Sequence, residues 1–98
     1  MNVHWTDRAK WRLGLIKEYI AEDSPDTAKK IVRRILVRSK QIGELPYSGR
    51  RVPEYEQEEL REILGRPYRI IYRIKDGQID VVAVIHYRQL LPADIKTL

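Results

Sequence analysis

The sequence predicts an α+β fold of order β-α-α-β-β-β, with a helical hairpin packed on a mostly antiparallel sheet. Three observations predict it. The N-terminal half holds two long stretches with apolar residues at helical spacing, separated by Ser24-Pro25-Asp26. The C-terminal half instead holds three strand-like runs, two of them joined by the tight-turn pair Asp76-Gly77. The chain of 98 residues is long enough for one domain, 1–98, with a modest core, and too short for two.

Met1 to Trp5 alternates polar and apolar residues, with Val3 and Trp5 on one side, and reads as a short strand. Thr6 supplies a hydroxyl N-cap and Asp7 a negative charge in the first turn of the first helix. Ala9, Leu13, Ile16 and Ile20 form the core stripe of that helix. Gly14 lowers its propensity by about 1 kcal/mol, which points to close packing there. A second stripe, Trp11, Leu15 and Tyr19, widens the apolar arc to roughly half the circumference. It either lies over neighbouring side chains or forms a groove for a partner.

Ser24 caps the second helix, with Pro25 at its first position. Ala28, Ile31, Val32, Ile35, Ser39 and Ile42 face inward, and Lys29, Lys30, Arg33, Arg34, Arg38 and Lys40 face outward. That outer face is either a solvated surface or a dock for an acidic partner. Gly43 is the expected stop. Leu45 to Glu58 reads as a loop with an acidic end at Glu54, Glu56, Glu58 and Glu59.

Strands are expected at Leu60 to Leu64, Tyr68 to Ile74 and Ile79 to Tyr87, the last a central one by its β-branched content. On the second of these, Tyr68, Ile70, Tyr72 and Ile74 share one face, and Arg69, Ile71 and Arg73 the other. Pro92 ends the sheet, and Ala93 to Leu98 reads as one loose helical turn. The helices are expected to cover one sheet face and to leave the other open, with several charged side chains on it.

Composition narrows the setting. A net charge of +5 and a sequence pI near 9.6 favour an acidic partner, whether nucleic acid, membrane surface or protein. No apolar run reaches the ~20 residues of a membrane span, and no signal-peptide core follows the polar start, so a cytoplasmic location is expected. The chain has no cysteine, which excludes disulfides and thiolate-bound zinc. Two distant histidines are weak grounds for a metal, and neither a metal nor a cofactor is expected.

Phosphate-binding glycine loops, nucleophile elbows and metalloprotease motifs are all missing. What remains is a concentration of cations on the strands: Arg61, Arg66, Arg69, Arg73 and the run His86-Tyr87-Arg88. Guanidinium groups on an open face would grip phosphates bidentately, and a nearby imidazole would move a proton. Alternatively, Arg61 and Arg73 pair with Glu62, Glu59 or Asp80, and His86 is a hydrogen-bonded structural residue.

An ordered set of residues then resembles the ParE/RelE toxin superfamily of type II toxin-antitoxin systems, nearest its ParE branch. It comprises Ala9, Leu13, Ile16, Tyr19, Ile20 and Ala21, then Ser24-Pro25 and Ala28, then Pro46, Gly49-Arg50 and Val52-Pro53-Glu54. In the sheet it comprises Arg61-Glu62, Tyr68-Arg69-Ile70-Ile71-Tyr72-Arg73, Val84-Ile85-His86 and Arg88.

The resemblance implies a toxin neutralised by a cognate antitoxin, for which Trp11, Leu15 and Tyr19 are the candidate contacts. It also implies a homodimer or a toxin-antitoxin hetero-oligomer, and a role in growth arrest or plasmid stabilization. ParE-like members poison DNA gyrase and block replication. Arg61, Arg69, Arg73 and Arg88 would then be target-binding or nucleic-acid-binding residues. RelE-like members cleave mRNA on the ribosome, and there Arg69, His86 and Arg88 would be catalytic. Two departures favour the ParE reading. Leu60-Arg61-Glu62-Ile63-Leu64 stands where RelE-type toxins carry catalytic lysines, and no tyrosine follows Arg88. A third expectation is a degenerate toxin kept only for antitoxin binding.

Overall fold

The computed structural model describes residues 1–94. The elements are β1 (Asn2–Trp5), α1 (Asp7–Ala21), α2 (Pro25–Glu44), a 3-10 turn (Pro46–Ser48), β2 (Arg50–Arg51), β3 (Leu60–Gly65), β4 (Tyr68–Lys75) and β5 (Gln78–His86). The order matches the expected one, with the two-residue β2 added from the segment expected to be loop. Of the helical turn expected at 93–98, residues 95–98 lie outside the described residues, and Ala93 and Asp94 form a bend. Among the described residues, no helix is long and apolar enough to cross a membrane.

Both helix starts follow their capping chemistry. Thr6 Oγ1 accepts from the Ala9 amide at 3.1 Å, and Ser24 Oγ accepts from the Thr27 amide at 3.2 Å. Gly43 does not end α2, which runs on to Glu44. A Cβ on Gly43 would sit 2.7 Å from the Met1 carbonyl oxygen, so this glycine serves a close approach of β1 to the helix. Gly14 is the opposite case. A Cβ there would meet nothing within 4 Å, so close packing does not explain it. Gly14→Ala is therefore expected to stabilise the protein by about 1 kcal/mol, seen as a rise of ~4–8 °C in a thermal melt.

The sheet order is β1-β5-β4-β3-β2. β1 lies parallel to β5, and the other pairings are antiparallel. The helical hairpin carries the chain from β1 at one edge of the sheet to β2 at the other. Asp76 and Gly77 both adopt positive φ, 53° and 72°, which suits the tight turn between β4 and β5.

Between the helices and the sheet lies a core of Ala9, Ile35, Ile42, Ile63, Ile70, Tyr72, Ile79, Val81 and Val84. The pattern on β5 breaks strict alternation. Ile71 pairs with Ala83 while Tyr72 pairs with Val81, so Val82 is an unpaired bulge residue. That extra residue lets Ile79, Val81 and Val84 all reach the same core. Ser39 is the polar exception, accepting from Trp5 Nε1 at 3.3 Å and donating to the Leu36 carbonyl at 2.8 Å.

The far sheet face is covered. Val52 and Tyr55, from the segment between β2 and β3, pack with Leu60, Ile71, Ala83 and Ile85. The Tyr55 hydroxyl donates to the Pro92 carbonyl at 2.5 Å, tying that segment to the chain beyond β5. The expectation of a face without cover is thus corrected, and the acidic segment acts as a strap. Its N-terminal side is held by Tyr72, whose hydroxyl donates to the Pro46 carbonyl at 2.7 Å and accepts from the Gly49 amide at 3.1 Å.

Candidate functional site

Strand pairing separates the arginines that the sequence groups together. Arg69 and Arg73 alternate with Ile70 and Tyr72 on β4, and so face the strap with Ile71. Arg61 alternates with Leu60 and Glu62 on β3 and shares the helix side with Ile63. His86 lies opposite Tyr68 and meets its ring edge-on at 5.6 Å, which also places it on the helix side. Arg69 and His86 therefore occupy opposite faces, and the trio Arg69, His86 and Arg88 is not assembled into one site.

Arg69 is 6% exposed and already engaged. Its Nε and Nη2 donate to Glu62 at 2.9 and 2.5 Å. Its Nη1 and Nη2 donate to Glu54 at 2.8 and 2.9 Å. A guanidinium has five N–H donors, so one is left for any ligand. Donating to Glu54, then to Glu62, pushes the Arg69 pKa up, and the same bond to Arg69 holds the Glu54 carboxyl below its ordinary value. Glu62 is buried and faces Arg69. It accepts a further bond from Arg50 at 3.3 Å. The arrangement is a clasp that fastens the strap to β3 and β4.

Arg61 and Arg73 are also paired. Arg61 bonds the Glu58 side chain and carbonyl, reaches the Gly49 carbonyl at 3.2 Å and lies 5.1 Å from the Tyr47 ring centroid. The Glu58 partner was not among those expected for it. Arg73 meets Glu59 at 3.6 Å, one of the expected pairings. Arg88 has no ion pair among the described residues. Its Nε donates to the Tyr87 hydroxyl at 2.9 Å, and its guanidinium lies 5.3 Å from that ring. The Arg88 amide donates to His86 Nδ1 at 3.2 Å.

The outer stripe of α1 faces solvent. Trp11 is 61% exposed, Leu15 44% and Tyr19 68%. Of the two readings open for these residues, packing over neighbours is the one their exposure disfavours. The stripe leads toward the end of the sheet. Burial, with a smaller contribution from Tyr19, pushes the Tyr68 phenol pKa up. Tyr68 touches His86, and His86 stacks on Tyr87 at 4.8 Å. Tyr87 lines a cavity of about 410 Å³ with Leu64, Arg66 and Pro67. Sequence reading missed Tyr87 as a surface group. The signal available was its place immediately before Arg88, at the point where the strand runs out. Among the described residues, no cluster of three or more His, Asp or Glu side chains is placed to hold a metal ion.

A helical hairpin on a five-stranded mixed sheet, with an acidic strap across the far face, defines a small α+β domain of the ParE/RelE type. Known proteins narrow the class. The sequence model for the ParE toxin of the type II toxin-antitoxin system parDE matches residues 3–91, and the chain belongs to that family. It is 37% identical over 92 residues to Y4kP of Sinorhizobium fredii, assigned as a toxin, covering 92% of each chain. It is 33% identical over 89 residues to toxin RelE2 of Caulobacter vibrioides, covering 90% of this chain and 97% of the relative. Among solved structures it is similar to a chain of the chromosomal ParDE system from P. aeruginosa. That match has a TM-score of 0.73 and 26% identity, and covers 88% of this chain and 95% of that one.

Proposed function

We propose that this toxin arrests growth in the cytoplasm by binding DNA gyrase and blocking replication, and that a cognate antitoxin neutralises it by packing on Trp11, Leu15 and Tyr19. The observation that carries the gyrase reading is the state of the sheet arginines. With Arg61, Arg69 and Arg73 held by carboxylates and Arg69 across the sheet from His86, the described residues offer binding surfaces and no assembled acid-base pair. The solvent-facing stripe on α1 supports the antitoxin contact, because apolar side chains aligned on one helix face suit a partner groove.

A ribosome-dependent mRNA interferase is the second reading. The similarity to RelE2 favours it, as does the half-buried His86 beside the exposed Arg88. Purified toxin in gyrase supercoiling and cleavage assays, run beside an mRNA-programmed ribosome reaction, separates the two. Inhibition in the gyrase assay alone is expected. Codon-specific mRNA cuts with gyrase untouched would replace it with the RelE reading.

A further inference from the structure

Most of the net charge of this protein lies on one helix, α2, whose six cations stand between single acids at its ends, Asp26 and Glu44. Of its 19 lysines and arginines, six lie in residues 27–43, which hold none of its 14 acids; the remaining 13 cations are set against 14 acids. That segment therefore carries +6 and the rest of the chain −1. The paired arginines on the strands account for the difference, because each has a carboxylate within 4.0 Å.

Lys29, Lys30, Arg33, Arg34, Arg38 and Lys40 lie within about half the circumference of α2, at ~100° per residue, over ~16 Å of helix axis. None of them has an acidic partner among the described residues. Two are held in place without being neutralised. Arg34 Nη1 donates to the Arg66 carbonyl at 2.9 Å, and Arg38 Nε donates to the Leu64 carbonyl at 3.0 Å. Carbonyls order a guanidinium while leaving its full charge, so less side-chain entropy is lost when it meets an anion. Arg66, exposed at the β3–β4 turn, extends the same band.

We infer that the α2 face binds the phosphate backbone of a nucleic-acid duplex. A duplex presents one negative charge per ~1.7 Å of axis, which suits an array of like charges along a helix. Single strands need aromatic platforms, and the band has none. Its exposed apolar members, Leu36 and Val37, are slight anchors for an acidic protein. Lysine and arginine contacts to phosphate carry no sequence information, so the binding is general. This surface is separate from the α1 stripe and from the gyrase reading.

The test is fluorescence anisotropy with the whole chain and a labelled mixed-sequence duplex of DNA, repeated with an RNA duplex and a single strand. Neutralising five phosphates should weaken binding about 500-fold between 50 and 200 mM salt. The triple variant Lys29→Glu/Lys30→Glu/Arg33→Glu changes exposed side chains and is checked for native circular dichroism. It should weaken binding more than about tenfold and lower the salt slope by about 3. Lys10→Glu/Lys17→Glu/Lys75→Glu makes the same net-charge change elsewhere and should leave the slope unaltered. Equal losses in both triples, no binding at 50 mM salt, or preference for the single strand would overturn the inference. Tighter binding of a poly-glutamate chain than of either duplex would assign the face to an acidic protein instead. Preference between the DNA and RNA arms identifies the source of the backbone.

Discussion

Arg69→Ala is expected to cost about 3–5 kcal/mol of folding stability, read as a large fall in the urea or thermal midpoint. The change removes the cation from between two carboxylates, one of them on a side chain only 1% exposed. Glu62 would be left buried with only the 3.3 Å contact from Arg50, whose side chain is 67% exposed. A charge stranded in that way is the costly case, whereas removing both partners together is often close to neutral. Arg69→Met with Glu62→Leu should therefore recover most of the loss. A folded Arg69→Ala protein with an unchanged midpoint would end the clasp interpretation. Loss of toxicity in Arg69→Ala then follows from unfolding, and only a variant shown to be folded bears on binding.

The clasp also has a pH signature. The Glu54 carboxyl titrates below its ordinary value near 4.5, chiefly through its hydrogen bond to Arg69. A depressed folded pKa means that the unfolded chain takes up the proton first as pH falls. The Glu54 contribution is thus fully present above about pH 5 and is lost as pH drops through the folded value. Urea midpoints measured from pH 7 to pH 3 should fall more steeply for the parent protein than for Glu54→Gln. Parallel curves would show that the strap does not depend on this pair.

Trp11→Glu together with Leu15→Glu should weaken antitoxin binding by roughly 10²–10³-fold, provided both act as buried anchors at about 2 kcal/mol each. Both side chains face solvent in the free chain, so the fold should keep its melting temperature. Titration calorimetry or surface plasmon resonance with the antitoxin reads the loss. Unchanged affinity in a folded double variant would remove the stripe from the interface.

Local chemistry is legible in this chain wherever neighbours in sequence decide the structure. Thr6 and Ser24 cap the helices because their hydroxyls need only reach the third residue along. Asp76-Gly77 turns because both residues tolerate positive φ. The two faces of β4 follow from alternation alone, and its helix-side set of Tyr68, Ile70, Tyr72 and Ile74 joins the core as read. The roles of Gly43 and Gly14 differ from those their sequence positions suggest, because a glycine has no side chain to signal what lies beside it. One admits the Met1 carbonyl and the other faces open space.

The amino-acid sequence by itself determined the order of elements, the helix faces and the resemblance to the ParE/RelE toxins. Those rest on periods and caps that act within a few residues. Only the tertiary structure decided which cations are free. Arg69 meets Glu62 and Glu54, 7 and 15 positions away, because strand register and the strap bring them together. The bulge at Val82 and the cover over the far face arise in the same way. A buried guanidinium requires carboxylates, whereas a solvated one does not, so packing sorted alike arginines into a clasp on the sheet and an unpaired band on α2.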